Sequence, residues 1–167
     1  KQLDLTLNSL GINEPYSIEA EQAILGAAII SPETVSLIIE QVKAEYFYSR
    51  QNQRIFVEIH KLFNANMPSD FITVLNSVIA NGVFTDEAEA KVYLTQLAET
   101  VPSLSNVSSY AKILKDKYLV RMLLNTSADI IKQTQNAPGA DELLEYAEQK
   151  IYELRQGKDT SALSHIG

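Results

Sequence analysis

SNVSSYAKILKDKYLVRMLLNTSADIIKQTQ, residues 105–135, contains neither Gly nor Pro. Those are the two residue types that interrupt helix interiors. At about 1.5 Å per residue the stretch reads as one helix of about 45 Å, longer than the roughly 30 Å diameter of a small domain. It is expected to protrude from a head built by the preceding residues. Asn136-Ala137-Pro138-Gly139 then makes a turn, and a last helix over 141–155 carries Leu143, Leu144, Ala147, Ile151 and Leu154. Two helices joined by so short a loop form an antiparallel hairpin. The long helix bears two apolar tracks. One holds Tyr110, Leu114, Arg121, Leu124, Ala128 and Ile131, the other Ile113, Val120, Leu123 and Ile130. Packing on one hairpin partner needs a single stripe. The excess predicts a second partner, another subunit or another protein.

Upstream, Pro15, Pro32, Pro68 and Pro102 divide the chain into helix-rich segments. A first helix over 18–30 has Ser17 as N-cap, with Glu19 and Glu21 complementing the dipole of its first turn. Gly26 inside it costs roughly 1 kcal/mol relative to Ala and reads as a packing position. Ser31 and Pro32 open a second helix, whose apolar face is Val35, Ile38, Ile39 and Val42. A third follows Ser49, with Ile55, Phe56, Ile59, Leu62 and Phe63 on one face. The fourth begins between Asp70 and Thr73, carries Val74, Val78 and Ile79, and stops at Asn81-Gly82. The fifth starts after Thr85, with a stripe of Val92, Tyr93, Leu97 and Leu94. The fold class is therefore all-α, a compact head of about five helices plus a protruding antiparallel helical hairpin. Its expected parts are a flexible arm (1–14), the head (15–102), the hairpin (103–156) and a linker (157–167).

Composition narrows the function. With 46% hydrophobic residues among 167, the chain can bury a real core. The absence of Cys excludes disulfides, thiolate zinc sites and cysteine nucleophiles, and fits a reducing cytoplasm. A net charge of -7, from 21 acidic against 14 Lys and Arg residues, disfavours direct nucleic-acid binding. The densest basic stretch, Lys112, Lys115, Lys117 and Arg121, reads as the solvated face of a helix. No apolar run approaches the roughly 18–20 residues of a membrane span. Residue 1 is Lys rather than Met, so the chain is expected to be trimmed from a longer polypeptide.

Catalytic patterns are missing. No two glycines stand five apart, and Gly157-Lys158 is followed by Asp159, so there is no phosphate-cradling G-x-x-x-x-G-K-[ST] loop. His60 lacks a second His or a carboxylate at i+4, and His165 sits in the expected linker, so neither suggests a metal ligand or a Ser/His/Asp set. No catalytic, cofactor or metal residue is expected.

The run Pro15-Tyr16-Ser17-Ile18-Glu19-Ala20-Glu21-Gln22-Ala23-Ile24-Leu25-Gly26 resembles the opening of DnaB-type replicative helicases. Phe47-Tyr48 with Arg54-Ile55-Phe56, Asp70-Phe71-Ile72-Thr73, Tyr93-Leu94-Thr95-Gln96-Leu97 and Tyr110-Ala111-Lys112-Ile113-Leu114 extend the likeness. Arg121 and Leu143-Leu144 with Ala147-Glu148-Gln149-Lys150-Ile151 carry it to Leu154. Two departures stand out: Ala27 replaces a second glycine, and Glu87-Ala88-Glu89 replaces a Gly-Gly pair. The resemblance implies the N-terminal, non-catalytic assembly domain of a hexameric replicative helicase. Its linker would lead to a missing RecA-like ATPase motor, where ATP and Mg would bind. It further implies self-association as dimers and a trimer of dimers. The primase C-terminal domain would dock on this collar, and a helicase loader is a further candidate partner. Tyr93, Leu124 and Ile130 are the expected primase-facing residues, being apolar and in excess of one intrachain stripe. Competing readings are the helicase-binding domain of a primase, a small all-helical enzyme and an unrelated dimeric regulator.

Overall fold

The computed structural model describes residues 7–100, 106–136 and 139–157. Pro102, Pro138, His165 and the linker expected beyond Gly157 lie outside them. Every regular element among the described residues is helical. Among the described residues these α-helices occur in order: α1 (Ile18–Ile30), α2 (Val35–Gln41), α3 (Arg50–Asn64), α4 (Phe71–Ala80), α5 (Glu87–Glu99), α6 (Val107–Gln133) and α7 (Ala140–Arg155). Short 3-10 turns stand at Pro32–Thr34, Ala44–Tyr46 and Thr134–Asn136. The chain forms two compact units. One is Tyr16–Tyr118, the head; the other joins Lys1–Pro15 to Leu119–Gly167 and contains the hairpin.

The helix starts follow from their capping residues. Ser17 accepts from the Ala20 N–H at 3.1 Å, Ser49 from Asn52 at 3.2 Å, Asp70 from Thr73 at 3.3 Å and Asp86 from Ala88 at 3.0 Å. Each satisfies a donor that the first helical turn leaves without an intrahelical partner. Ser31 acts otherwise. It precedes the 3-10 turn, and its hydroxyl donates to the Glu33 carboxylate instead of accepting from the backbone. That hydrogen bond, despite slight desolvation, holds the Glu33 pKa below the ordinary carboxylate value. Helix ends are equally local. Asn66 adopts φ +59° just past α3, and Gly82 adopts φ +71° after α4, the left-handed geometry that lets the chain reverse. The Arg54 guanidinium donates to the Gly82 carbonyl at 3.2 Å and holds that reversal against α3.

In the head, α1 is the central rod. Ala20, Glu21 and 23–29 are all buried, and α5, α3, α4 and α2 pack around it. A helix apolar on all sides is one buried on all sides. Ile55, Phe56 and Ile59 of α3, Val74 and Val78 of α4, and Leu94 and Leu97 of α5 complete the core. The start of α6 adds Val107, Ala111 and Leu114, so the first turns of the long helix belong to the head.

Two expected faces are turned from where the sequence placed them. Phe63 is exposed, because the buried stripe of α3 is Ile55, Phe56, Ile59 and Leu62. On α5 the buried stripe is Ala90, Leu94 and Leu97, leaving Val92 65% exposed. Small Ala90 takes the place that closest packing on α1 requires. On α6, Leu114, Arg121 and Ala128 of one track are buried, while Ile131 of the same track is exposed.

Candidate protein-interaction surface

The expected partner residues fall in both units. Tyr93 belongs to the head, on α5, and Leu124 and Ile130 belong to the hairpin unit, on α6. Each is only partly exposed.

Tyr93 is tied into a polar network built on Glu21. That carboxylate is 0% exposed. It accepts from the backbone N–H groups of Tyr48 at 2.7 Å and Ser49 at 3.3 Å, and from the Asn52 side-chain amide at 2.9 Å. Ser49 caps α3, so Glu21 of α1 lies at the positive end of a neighbouring helix. A carboxylate out of water needs such donors. Asn52 accepts in turn from the Tyr93 hydroxyl at 2.5 Å, and the Gln22 amide donates to the same hydroxyl at 3.4 Å. Burial lifts the Tyr93 pKa above the ordinary tyrosine value, aided by the charge of Glu21 and opposed by the bonds to Gln22 and Asn52. The Tyr93 hydroxyl thus stays a proton donor within the head. Sequence reading gave Glu21 only a role at the start of its own helix. Its place among Ala20, Ala23 and Ile24, all buried, was the available signal that the carboxylate faces inward.

The hairpin unit has a different surface. Asp129 of α6 accepts from the Tyr146 hydroxyl of α7, on the other side of the Thr134–Asn136 turn. This contact fixes antiparallel pairing and its register. Lys150 sits 5.5 Å from the Tyr146 ring centroid, within cation–π range. No residue of α7 is buried. Leu144 is 62% exposed, Tyr152 55% and Ile151 38%, while Val120, Leu123 and Ile131 of α6 are 45%, 44% and 49% exposed. Ala147, Glu148, Ile151, Tyr152 and Arg155 line a shallow, mainly apolar depression along α7.

Arg121 corrects the reading of the basic stretch. It is 6% exposed and donates to the Pro15 carbonyl at 2.9 Å, so it does not join Lys112 and Lys115 on a solvated face. His60 is partly buried, with its ring centroid 6.1 Å from that of Phe56. Among the described residues no group of three or more His, Asp or Glu side chains could hold a metal ion, and no single helix is long and apolar enough to cross a membrane.

Residues 13–116 match the family model of the DnaB-like helicase N terminal domain. Over 153 residues the chain is 35% identical to the replicative DNA helicase DnaC of Bacillus subtilis (strain 168), covering 91% of this chain and 34% of that protein. The replicative DNA helicase DnaB of Geobacillus stearothermophilus is 34% identical over 153 residues, again 91% of this chain and 34% of the relative. The chain therefore spans about a third of the length of these curated relatives. The crystal structure of the N-terminal domain of DnaB helicase from Mycobacterium tuberculosis superposes with a TM-score of 0.75 at 28% identity, covering 84% of this chain and 99% of that one. Motif, fold and family model agree, and the chain belongs to the DnaB-like helicase N-terminal domain family.

Proposed function

We propose that this chain is the N-terminal assembly and primase-docking domain of a hexameric replicative DNA helicase that unwinds the duplex at the replication fork. It works by protein contacts and is non-catalytic by itself. ATP and Mg belong to a motor domain following the linker, and the whole protein acts in the cytoplasm. Family membership supports the helicase parent. The observation that carries the assembly role is α7, a helix with Leu144, Ile151 and Tyr152 in its sequence and no buried residue. Apolar surface of that kind gains free energy when a second chain covers it.

On this reading hairpins pair to make dimers, and three dimers close a collar. The primase C-terminal domain docks on the collar through Tyr93, Leu124 and Ile130, and a helicase loader is a further partner. Light scattering after gel filtration tests it, on the chain alone and mixed with the matching primase C-terminal domain. A dimer or hexamer that grows heavier with primase is expected, and Leu124→Asp with Ile130→Asp should abolish the shift. A strict monomer indifferent to primase would overturn the docking assignment.

A further inference from the structure

The polypeptide passes between its two compact units twice, once between Pro15 and Tyr16 and once between Tyr118 and Leu119. Arg121 stands just past the second passage and is buried. Its guanidinium donates to the carbonyl of Pro15, at the first passage. One side chain therefore ties the two passages together. The stretch before Pro15 is anchored at its other end as well. Leu7 is 3% exposed, and it groups with the hairpin unit and not with the apolar core of the head.

Between these anchors the chain makes one tight reversal. The N–H groups of Leu10 and Ile12 donate to the Leu7 carbonyl, that of Gly11 donates to Asn8, and Gly11 takes φ +74°. Leu10 and Ile12 stay exposed, so burial is concentrated at the two ends of the segment. Removing a guanidinium from water is costly unless it is hydrogen-bonded. A backbone carbonyl brought to it by a preceding segment meets part of that need. Lysine would not replace it well, since its ammonium lacks the planar fork of donors.

We infer that residues 7–15 are a strap that holds the root of the hairpin, through Leu7 at one end and the Arg121–Pro15 contact at the other. With the strap seated, α6 just past Leu119 is braced by a second segment of its own unit. With the strap released, Arg121 loses a partner. The strap is thus a device for setting how firmly the base of the hairpin is held. It is a property of one chain and does not depend on the collar reading.

Hydrogen–deuterium exchange tests it on the whole chain, on a chain lacking residues 1–14, and on Leu7→Asp and Arg121→Gln. All are compared at a concentration where light scattering gives the same mass, so that self-association does not contribute. Amides of residues 119–126 should exchange at least about tenfold faster in all three variants, as loss of a hydrogen bond to a charged group implies. Amides of residues 55–62 in the head should be unchanged. Unchanged exchange at 119–126 in the shortened chain would overturn the strap. Faster exchange at 119–126 in Arg121→Gln alone would overturn it too, since Arg121 would then serve the hairpin without the segment. General loss of protection in the head of the shortened chain would make residues 7–15 part of the head, and would equally overturn it.

Discussion

The head and the hairpin draw on the same residue types and treat them oppositely. In the head, Ile24, Leu25, Phe56, Leu94 and Leu97 are at most 1% exposed. Helices close around α1 from several sides, so each apolar face meets another. In the hairpin unit, Leu144, Ile151 and Tyr152 remain open to solvent although their spacing along α7 is as helical as any stripe in the head. Two helices offer each other one face, and a second apolar face finds nothing within the pair. An apolar stripe therefore specifies that a surface will be covered but not by which chain. The head covers its stripes from within, and in the hairpin unit Leu144, Ile151 and Tyr152 of α7 stay open.

The largest expected effect sets the two regions directly against each other. Phe56→Ala should cost about 3–5 kcal/mol of unfolding free energy, because it empties a closed core. Ile151→Ala should cost less than about 0.5 kcal/mol in the monomer, as surface substitutions do, while weakening self-association. Urea unfolding and light scattering on both variants check this. An equal loss of monomer stability would break the comparison, since α7 would then be an intrachain core helix.

Polar satisfaction in the head is next in size. Among the described residues no buried side-chain nitrogen or oxygen lacks a hydrogen-bond partner. Glu21→Ala leaves the Tyr48 and Ser49 N–H groups and the Asn52 amide without their acceptor, a loss of about 2–3 kcal/mol. Glu21→Gln should lose less, since it retains one carbonyl acceptor. Denaturant midpoints order the three proteins, and a neutral Glu21→Ala would show that water replaces the carboxylate freely.

Glu58 gives the head a smaller, pH-dependent contribution. Burial pushes its pKa up, but bonds from Ser77 at 2.7 Å, Asn81 at 2.6 Å and Lys61 at 3.3 Å outweigh burial and leave it below the ordinary 4.5. Lys61 is 62% exposed, so Ser77 and Asn81 carry most of the interaction. A carboxyl with a lowered folded pKa adds stability that is complete above its unfolded pKa and is lost as pH falls through the folded one. Glu58→Gln should thus cost about 1 kcal/mol at neutral pH, with the gap closing below pH 4.5. Thermal unfolding across that range measures it, and a gap that widens on acidification would refute the assignment.

Much of this division was legible in the sequence where the signal is short-range. Ser17, Ser49 and Asp70 mark helix starts because a cap and its N–H partner lie within three residues. The long α6 followed from the absence of Gly and Pro over 105–135, and the return of α7 from the Asn136-Ala137-Pro138-Gly139 turn signal. What failed depends on tertiary packing. An apolar stripe sought through large residues skips Ala90 and so turns α5 toward Val92. Arg121 shares a track with Leu114 and Ala128, one pair of turns away on each side, yet its charge made it look solvated. Tyr93 was chosen for its apolar ring, and no local pattern revealed that its hydroxyl is committed to Asn52. Which hairpin residues face each other was equally unreadable, since two equal stripes allow more than one register.

The smallest effect sharpens the comparison through a matched pair of tyrosines. Tyr93 donates to Asn52 within the head, and Tyr146 donates to Asp129 within the hairpin unit. Tyr→Phe at either site removes one hydroxyl, for about 0.5–1.5 kcal/mol, with Tyr146 toward the lower end because it borders solvent. The loss should be felt in different places. Tyr93→Phe should lower the unfolding midpoint of the head. Tyr146→Phe should leave that midpoint unchanged and quicken hydrogen exchange only around Asp129 and Tyr146. The hydrogen bond to Asp129 also raises the Tyr146 pKa, with burial and the charges of Asp129 and Glu153 adding to it. A raised folded pKa means that the tie is complete below the unfolded tyrosine value and is lost as pH rises through the folded one. Alkaline conditions should therefore mimic Tyr146→Phe in the wild-type hairpin and have no added effect in the variant. If Tyr146→Phe lowered the head midpoint as much as Tyr93→Phe does, the two units would unfold as one, and the contrast between a closed head and an open hairpin would describe surfaces without describing stability.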